Sequence, residues 1–208
     1  MRLEPSRRLV VSLWLGLALS LGTVFPTGAA TVSTLTGETL PGSSTSGNSG
    51  VCFTPTYSVG GTASGPYPGT FSETGGWSQM GVDSLLNATF TITSGTTTVT
   101  GSKAGPLSKP GDFLACGLSG GQAVVQAVPY TAVIHTPDGN FENRGVSNVS
   151  VTITKGGAAT LTESFTSSLA APVLIVPTSI SQCQNNGWRN YPQFKNQGEC
   201  VSFVVRPT

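Results

Sequence analysis

The sequence predicts an all-β fold: an antiparallel β-sandwich (Ig-like or jelly-roll-like) with a small disulfide-clamped C-terminal lobe. Three observations carry that reading. Apolar residues alternate with threonine and serine along much of the chain, glycines punctuate the alternation at hairpin spacing, and two cysteines bracket a turn-rich stretch near the C-terminus. Period-two alternation of β-branched residues between glycine turns marks half-buried strands. Many short strands of this kind favour a sandwich, with a barrel as the second choice.

Taken in order, the chain opens with a basic stretch, MRLEPSRR, followed by the uncharged apolar run LVVSLWLGLALSLG, then Pro26 and the small residues Gly28-Ala29-Ala30. That is the order of a secretory signal peptide. The apolar run is shorter than the roughly 20 residues a spanning helix needs, so residues 1–30 read as a cleaved signal and the protein as secreted and extracellular. Val10, Val11 and Ser12 depart from a twin-arginine signal, which favours general export. Residues 31–50, TVSTLTGETLPGSSTSGNSG, have almost no large apolar residue after Leu40 and read as a flexible lead-in. Residues 51–208 then form a single β-rich domain.

Within that domain, NATFTITSGTTTVTGS puts Phe90 and Ile92 on one face and Thr89, Thr91 and Thr93 on the other, turns at Ser94-Gly95, and returns through Val99. NVSVTITKGGAATLTESF does the same with Val149, Val151 and Ile153, turning at Gly156-Gly157. YTAVIHT followed by Pro137-Asp138-Gly139 is a further strand and turn, and QAVVQAV, VLIVPT and CVSFVV are strand candidates. No capped amphipathic run long enough for a helix follows residue 30. Gly69-Thr-Phe-Ser-Glu-Thr-Gly75 and Gly139-Asn-Phe-Glu-Asn-Arg-Gly145 share the spacing G-x-F-x₃-G. Either an old duplication or one strand-turn solution used twice accounts for it.

Charge and cysteine usage narrow the function. Cleavage after Ala30 removes Arg2, Arg7, Arg8 and Glu4, which leaves seven basic and eight acidic residues and a formal charge of −1. So weak a bias gives no purchase on nucleic acid or an anionic membrane. With 9% charged residues, the surface must be solubilised by hydroxyls and backbone. Four cysteines, Cys52, Cys116, Cys183 and Cys200, behind a signal peptide read as two disulfides. The short turn-rich loop favours Cys183–Cys200, with Cys52–Cys116 by elimination. Zinc is disfavoured, because no pair has C-x₂₋₄-C spacing and His135 is the only histidine.

Reaction chemistry finds little material. His135 sits in a strand beside a turn, no serine lies in G-x-S-x-G, and the acids, Glu38, Glu73, Glu142 and Glu163 among them, read as solvated. Asp112 and Asp138 do not make a calcium loop. No catalytic residue, metal or cofactor is assigned.

The stretch between Cys183 and Cys200 holds Trp188, Tyr191 and Phe194 at spacing three, with Arg189 and Lys195 beside them. It reads in two ways: as a stapled plug whose rings pack over a sheet end, or as an aromatic platform that stacks on sugars. Trp77 is a further candidate ligand-binding aromatic. The pattern carried by Cys183, Gly187, Trp188, Phe194, Lys195, Asn196, Gln197, Gly198, Cys200, Val201, Phe203 and Val204 resembles the C-terminal signature of uncharacterised secreted bacterial proteins, met especially in actinobacteria. Residues 61–75, GTASGPYPGTFSETG, are similar to the opening of β-rich domains in such proteins. The resemblance implies export and β-structure and transfers no activity. The expected function is that of a secreted non-catalytic cell-surface protein binding carbohydrate or a cell-wall polymer. Alternatives are a passive structural or adhesive exoprotein and, further off, a hydrolase.

Overall fold

The structure, a computed structural model, describes residues 32–44, 56–80, 83–106, 121–154 and 157–206. Its strands are β1 (Gly42–Ser44), β2 (Thr56–Ala63), β3 (Gly69–Met80), β4 (Asp83–Ser94), β5 (Thr97–Pro106), β6 (Gly121–Thr136), β7 (Gly139–Ile153), β8 (Ala159–Ser167) and β9 (Val173–Leu174). Every pairing is antiparallel. The all-β class and the disulfide-clamped lobe are as the alternation and cysteine spacing predict.

Strands β1 to β8 each pair with the next in the chain, and β1 pairs with β8 as well as β2. The layers expected of a sandwich are therefore joined along both edges, and the eight strands close into a ring. Closure removes the unpaired edges that would otherwise template aggregation. Both predicted hairpins are present: Ser94 faces Thr97 across Gly95, and Ile153 faces Ala159. The repeated G-x-F-x₃-G lies at the starts of β3 and β7, each just past a turn.

The lead-in expectation needs correcting. Residues 32–44 are part of the fold, whereas residues 45–50 lie outside the described residues. Leu35 and Leu40 are fully buried. The Leu40 N–H donates to Glu163 O, the Phe165 N–H to Glu38 O and the Thr39 N–H to Ser64 O. A Ser/Thr/Gly-rich segment stays disordered when it has nothing to pair with. Here the edges of β2 and β8 give it two ladders, and β1 is the strand that closes the ring.

Inside, alternate residues of each strand build one core: Tyr57 and Val59 from β2, Phe71 and Trp77 from β3, Phe90 and Ile92 from β4, and Leu161 and Phe165 from β8 among them. Eight strands leave an interior that side chains can fill. Glycine makes that filling possible at Gly101, where a Cβ would stand 2.3 Å from the Phe90 ring. On β6 a bulge between Val125 and Val128 switches which parity faces inward. Ala127 sits at φ 53° in the bulge, and its N–H is held by Asn148 Oδ1 at 3.0 Å.

The lobe follows β8. Strand β9 pairs with Phe141 and Glu142 of β7, beyond the reach of β8. After it come α1 (Ile180–Cys183), a 3-10 turn (Gly187–Asn190) and α2 (Gln197–Val204). Two strand expectations change here: VLIVPT contributes only the two residues of β9, and CVSFVV is largely helical. A short apolar run does not distinguish strand from helix by periodicity. The deciding signal is the cap, since Asn196 Oδ1 accepts from the Glu199 N–H at 2.9 Å while Glu199 Oε2 accepts from the Lys195 N–H.

Candidate functional site

The densest chemistry in the described residues lies within the ring. Glu73 on β3, Lys103 on β5 and Glu163 on β8 point inward, in phase with their apolar neighbours Phe71, Val99 and Leu161. All three side chains are fully buried. Lys103 Nζ donates to Glu73 Oε2 at 2.7 Å and is in direct contact with Glu163 Oε2. Tyr57 donates its hydroxyl proton to Glu73 Oε1 at 2.6 Å. The ammonium lies 5.7 Å from the Phe90 ring centroid and 5.9 Å from that of Phe165. Those rings are 5.1 Å apart, and Tyr130 meets Phe165 edge-on.

Burial governs the electrostatics. It pushes the Glu163 carboxyl up to about 8, partly offset by Lys103 and reinforced by Glu73. Burial likewise raises the Tyr57 hydroxyl well above its usual range, with the Glu73 charge adding to it. Glu163 Oε1 and Ser147 Oγ have no hydrogen-bond partner among the described residues.

One end of the ring is closed by the segment before β1. Tyr67 donates its N–H to Glu38 Oε2 at 2.8 Å and its hydroxyl to Ser33 O at 2.5 Å. Asn143 Oδ1 accepts from the Leu35 N–H and the Tyr130 hydroxyl. Burial raises the Glu38 carboxyl above its ordinary value, against the Tyr67 N–H that lowers it. The interior is packed and sealed on this side, so its charged cluster faces side chains rather than solvent.

The outside differs in kind. Aligned across β2–β5 are the rows Thr62–Thr70–Thr93–Thr98, Gly60–Ser72–Thr91–Thr100 and Ser58–Thr74–Thr89–Ser102. Apart from Gly60, every position carries a hydroxyl. Neighbours in such a grid stand about 4.8 Å apart across strands and about 6.7 Å apart along them. β6 extends the rows with His135, Val133 and Thr131. His135, a half-buried strand residue beside a turn, is held by Thr100 Oγ1 at 3.0 Å and Asn140 Oδ1 at 2.9 Å. Two depressions lie on this face. One of about 510 Å³ spans Thr74, Asn87, Thr89, Ser102 and Thr131. Another of about 660 Å³ shares Thr89, Ser102 and Thr131 and runs on to Glu142 and Ile175.

No known protein family, characterised protein or solved structure matches the chain. The site therefore rests on geometry.

The aromatic platform is not assembled as the sequence suggests. Tyr191 is buried against the Cys183–Cys200 disulfide, and Trp188 and Phe194 are partly buried against the same small core. The rings thus pack on the disulfide in a small core of their own, rather than over a sheet end as the plug expectation has it. Trp77 belongs to the barrel core at 3% exposure, 6.1 Å from Tyr57, and is no surface aromatic. Phe203, part of the C-terminal signature but not of the ring set at spacing three, is exposed and 5.4 Å from Phe194. Arg189 lies over Trp188 at 5.5 Å. Cys52 and Cys116, and with them the second predicted disulfide, lie outside the described residues, as does Asp112. Glu38, Glu73 and Glu163 are buried, contrary to their reading as solvated acids; Glu142 is the acid at the grid, 3.8 Å from Arg144. Among the described residues no cluster of three metal-ligating side chains occurs, and no helix is long and apolar enough to cross a membrane.

Proposed function

We propose that the protein is a secreted, non-catalytic module of the extracellular or cell-surface space that binds a neutral polysaccharide or cell-wall polymer along the hydroxyl grid of β2–β6. The observation that carries this reading is the pair of adjoining depressions that share the hydroxyls of Thr89, Ser102 and Thr131, with Glu142 at the margin of one. Each threonine or serine both donates and accepts, which matches the alternating donors and acceptors of a sugar polymer. Val133 and Ile175 add apolar surface against which a sugar ring face can rest. Single hydrogen bonds exchanged with water contribute only about 0.5–1.5 kcal/mol each, so an extended polymer that engages many of them fits better than a small ligand. Export and a bacterial source are part of the proposal. They are supported by the leader-like N-terminus, the disulfide, the low charge and the C-terminal resemblance.

Hydrolysis is disfavoured by the placement of the acids. Glu73 and Glu163 are sealed inside, and among the described residues lining the depressions Glu142 has no second carboxyl beside it to make the pair that glycoside hydrolysis uses. Binding of the purified protein to insoluble neutral glycans and to peptidoglycan tests the proposal. We expect retention on at least one neutral polymer, lost in the triple variant Thr89→Val, Ser102→Ala, Thr131→Val. Absence of retention on every polymer would leave the hydroxyl face as a solubilising surface of strand-forming residues, the passive exoprotein of the alternative reading.

A further inference from the structure

The interior cluster has the composition of a condensation site. An amine, a carboxyl that touches it and a second carboxyl able to carry its proton meet in a space closed to water. We propose that Lys103 and Glu163 become joined by an amide bond inside the folded barrel, with Glu73 moving the protons.

The groups occupy the positions such a step requires. Lys103 Nζ is held between the two carboxyls, in contact with an oxygen of each, so the nucleophile and the carboxyl it would attack are already neighbours. Glu163 is the electrophile. Burial raises its carboxyl against the Lys103 charge that lowers it, which favours the acid form, and an acid is attacked by an amine far more readily than a carboxylate. Its Oε1 has no hydrogen-bond partner among the described residues, so no other group competes for it when it is protonated. Glu73 is the proton carrier, fixed on one oxygen by Tyr57 and facing Lys103 with the other.

The step balances without any further reactant. Glu73 takes a proton from the Lys103 ammonium, which frees the nitrogen lone pair. That nitrogen adds to the Glu163 carboxyl carbon, forming the C–N bond. The Glu163 C–OH bond then breaks, with the hydroxyl leaving as water on a proton passed through Glu73. The second nitrogen proton stays on Glu73, which ends as a neutral acid able to donate to the new carbonyl. No redox change occurs, and one water is released. At the end the interior holds no charged group from this cluster, where an ion pair previously stood. Removing buried ion pairs in favour of neutral groups is commonly stabilising. The Phe90 and Phe165 rings beside the nitrogen exclude the water that would reverse the reaction.

The consequence is mechanical. Lys103 is on β5 and Glu163 on β8, strands that are not neighbours in the ring and are 60 residues apart in sequence. The bond would be a strut across the interior, sealing the closure that β1 makes by hydrogen bonds alone.

The test is the mass of the purified full chain, with tandem mass spectrometry of its digest. The expected result is a mass lower by one water than the sequence and its disulfides require. A branched peptide linking Lys103 to Glu163 should accompany it. Glu73→Gln should fold, as judged by circular dichroism, yet remain at full mass, and Lys103→Met should carry no branched peptide whether or not it folds. Wild-type protein at full mass would overturn the proposal, as would a missing water without the branched peptide. A Glu73→Gln chain that still cross-links would overturn the role given to Glu73.

Discussion

The barrel and the C-terminal lobe hold themselves together by different means. The barrel closes eight strands around a continuous core that runs from Leu35 to Phe165. Among the described residues the lobe has a buried core of just Cys183, Tyr191 and Cys200, with Trp188, Phe194, Val201 and Val204 leaning on it, and its helices are four and eight residues long. Segments that small rarely stay folded on apolar burial alone and need a covalent tie. The disulfide supplies that tie. The same division runs through surface chemistry: the outer face of β2–β5 is a hydroxyl grid, with the exposed Glu142–Arg144 pair on β7, whereas the lobe carries Arg189 and Lys195 and exposes Phe203 and Val205. The lesson is that the bracketed stretch stabilises itself, and that binding surface is to be sought on the strands.

The comparison breaks first, and hardest, at Lys103. Replacing it with alanine strands two buried carboxyls, and loss of one partner from a buried ion pair costs about 3–5 kcal/mol. Denaturant unfolding should show a loss of that size. A change below about 1 kcal/mol would mean that the cluster is not what holds the interior.

Cys183→Ser is the matching insult to the lobe. In the chain-entropy model a loop of this length contributes about 3 kcal/mol. Because the barrel has its own core, the loss should fall on the lobe alone. Amide exchange should rise across α1, the 3-10 turn and α2 while β2–β8 stay protected. Equal loss of protection in both regions would show that they unfold as one unit.

A smaller effect separates the two by pH. Burial raises the folded-state Glu38 carboxyl above its unfolded value. The stability it contributes is thus fully present below the unfolded value near 4.5 and is lost as pH rises through the folded one. Glu38→Gln should flatten that part of the stability–pH curve for the barrel and leave lobe exchange unchanged.

Much of the barrel was legible because its strands are amphipathic. Phe90, Ile92 and Val99, and then Val149, Val151 and Ile153, alternate with hydroxyls, and all are buried as the alternation requires. Strand β1 was not legible. Nothing in GSS announces a strand, and its pairing depends on the distant edges of β2 and β8. The charged interior was written in the pattern but goes against the usual preference of charged residues for solvent. Glu73 is in phase with Phe71 and Trp77, and Glu163 with Leu161 and Phe165, so parity marked them as inward while their chemistry argued outward. The hydroxyl grid was visible as threonine-rich strands, but its alignment into rows depends on register across four strands, which no single stretch encodes. In the lobe, the rings at spacing three were read as a set, whereas the 3-10 turn and the disulfide bury Tyr191 more deeply than its companions.

The most direct measurement sets the two regions against each other in one assay: affinity for the retaining polymer of the Thr89→Val, Ser102→Ala, Thr131→Val chain and of the Trp188→Ala chain. Three lost hydrogen bonds predict at least a tenfold weaker affinity for the first, about 1.4 kcal/mol or more. The Trp188→Ala chain should stay within about twofold of wild type. The reverse outcome, binding abolished by Trp188→Ala and untouched by the triple change, would contradict the account and move the binding surface to the lobe.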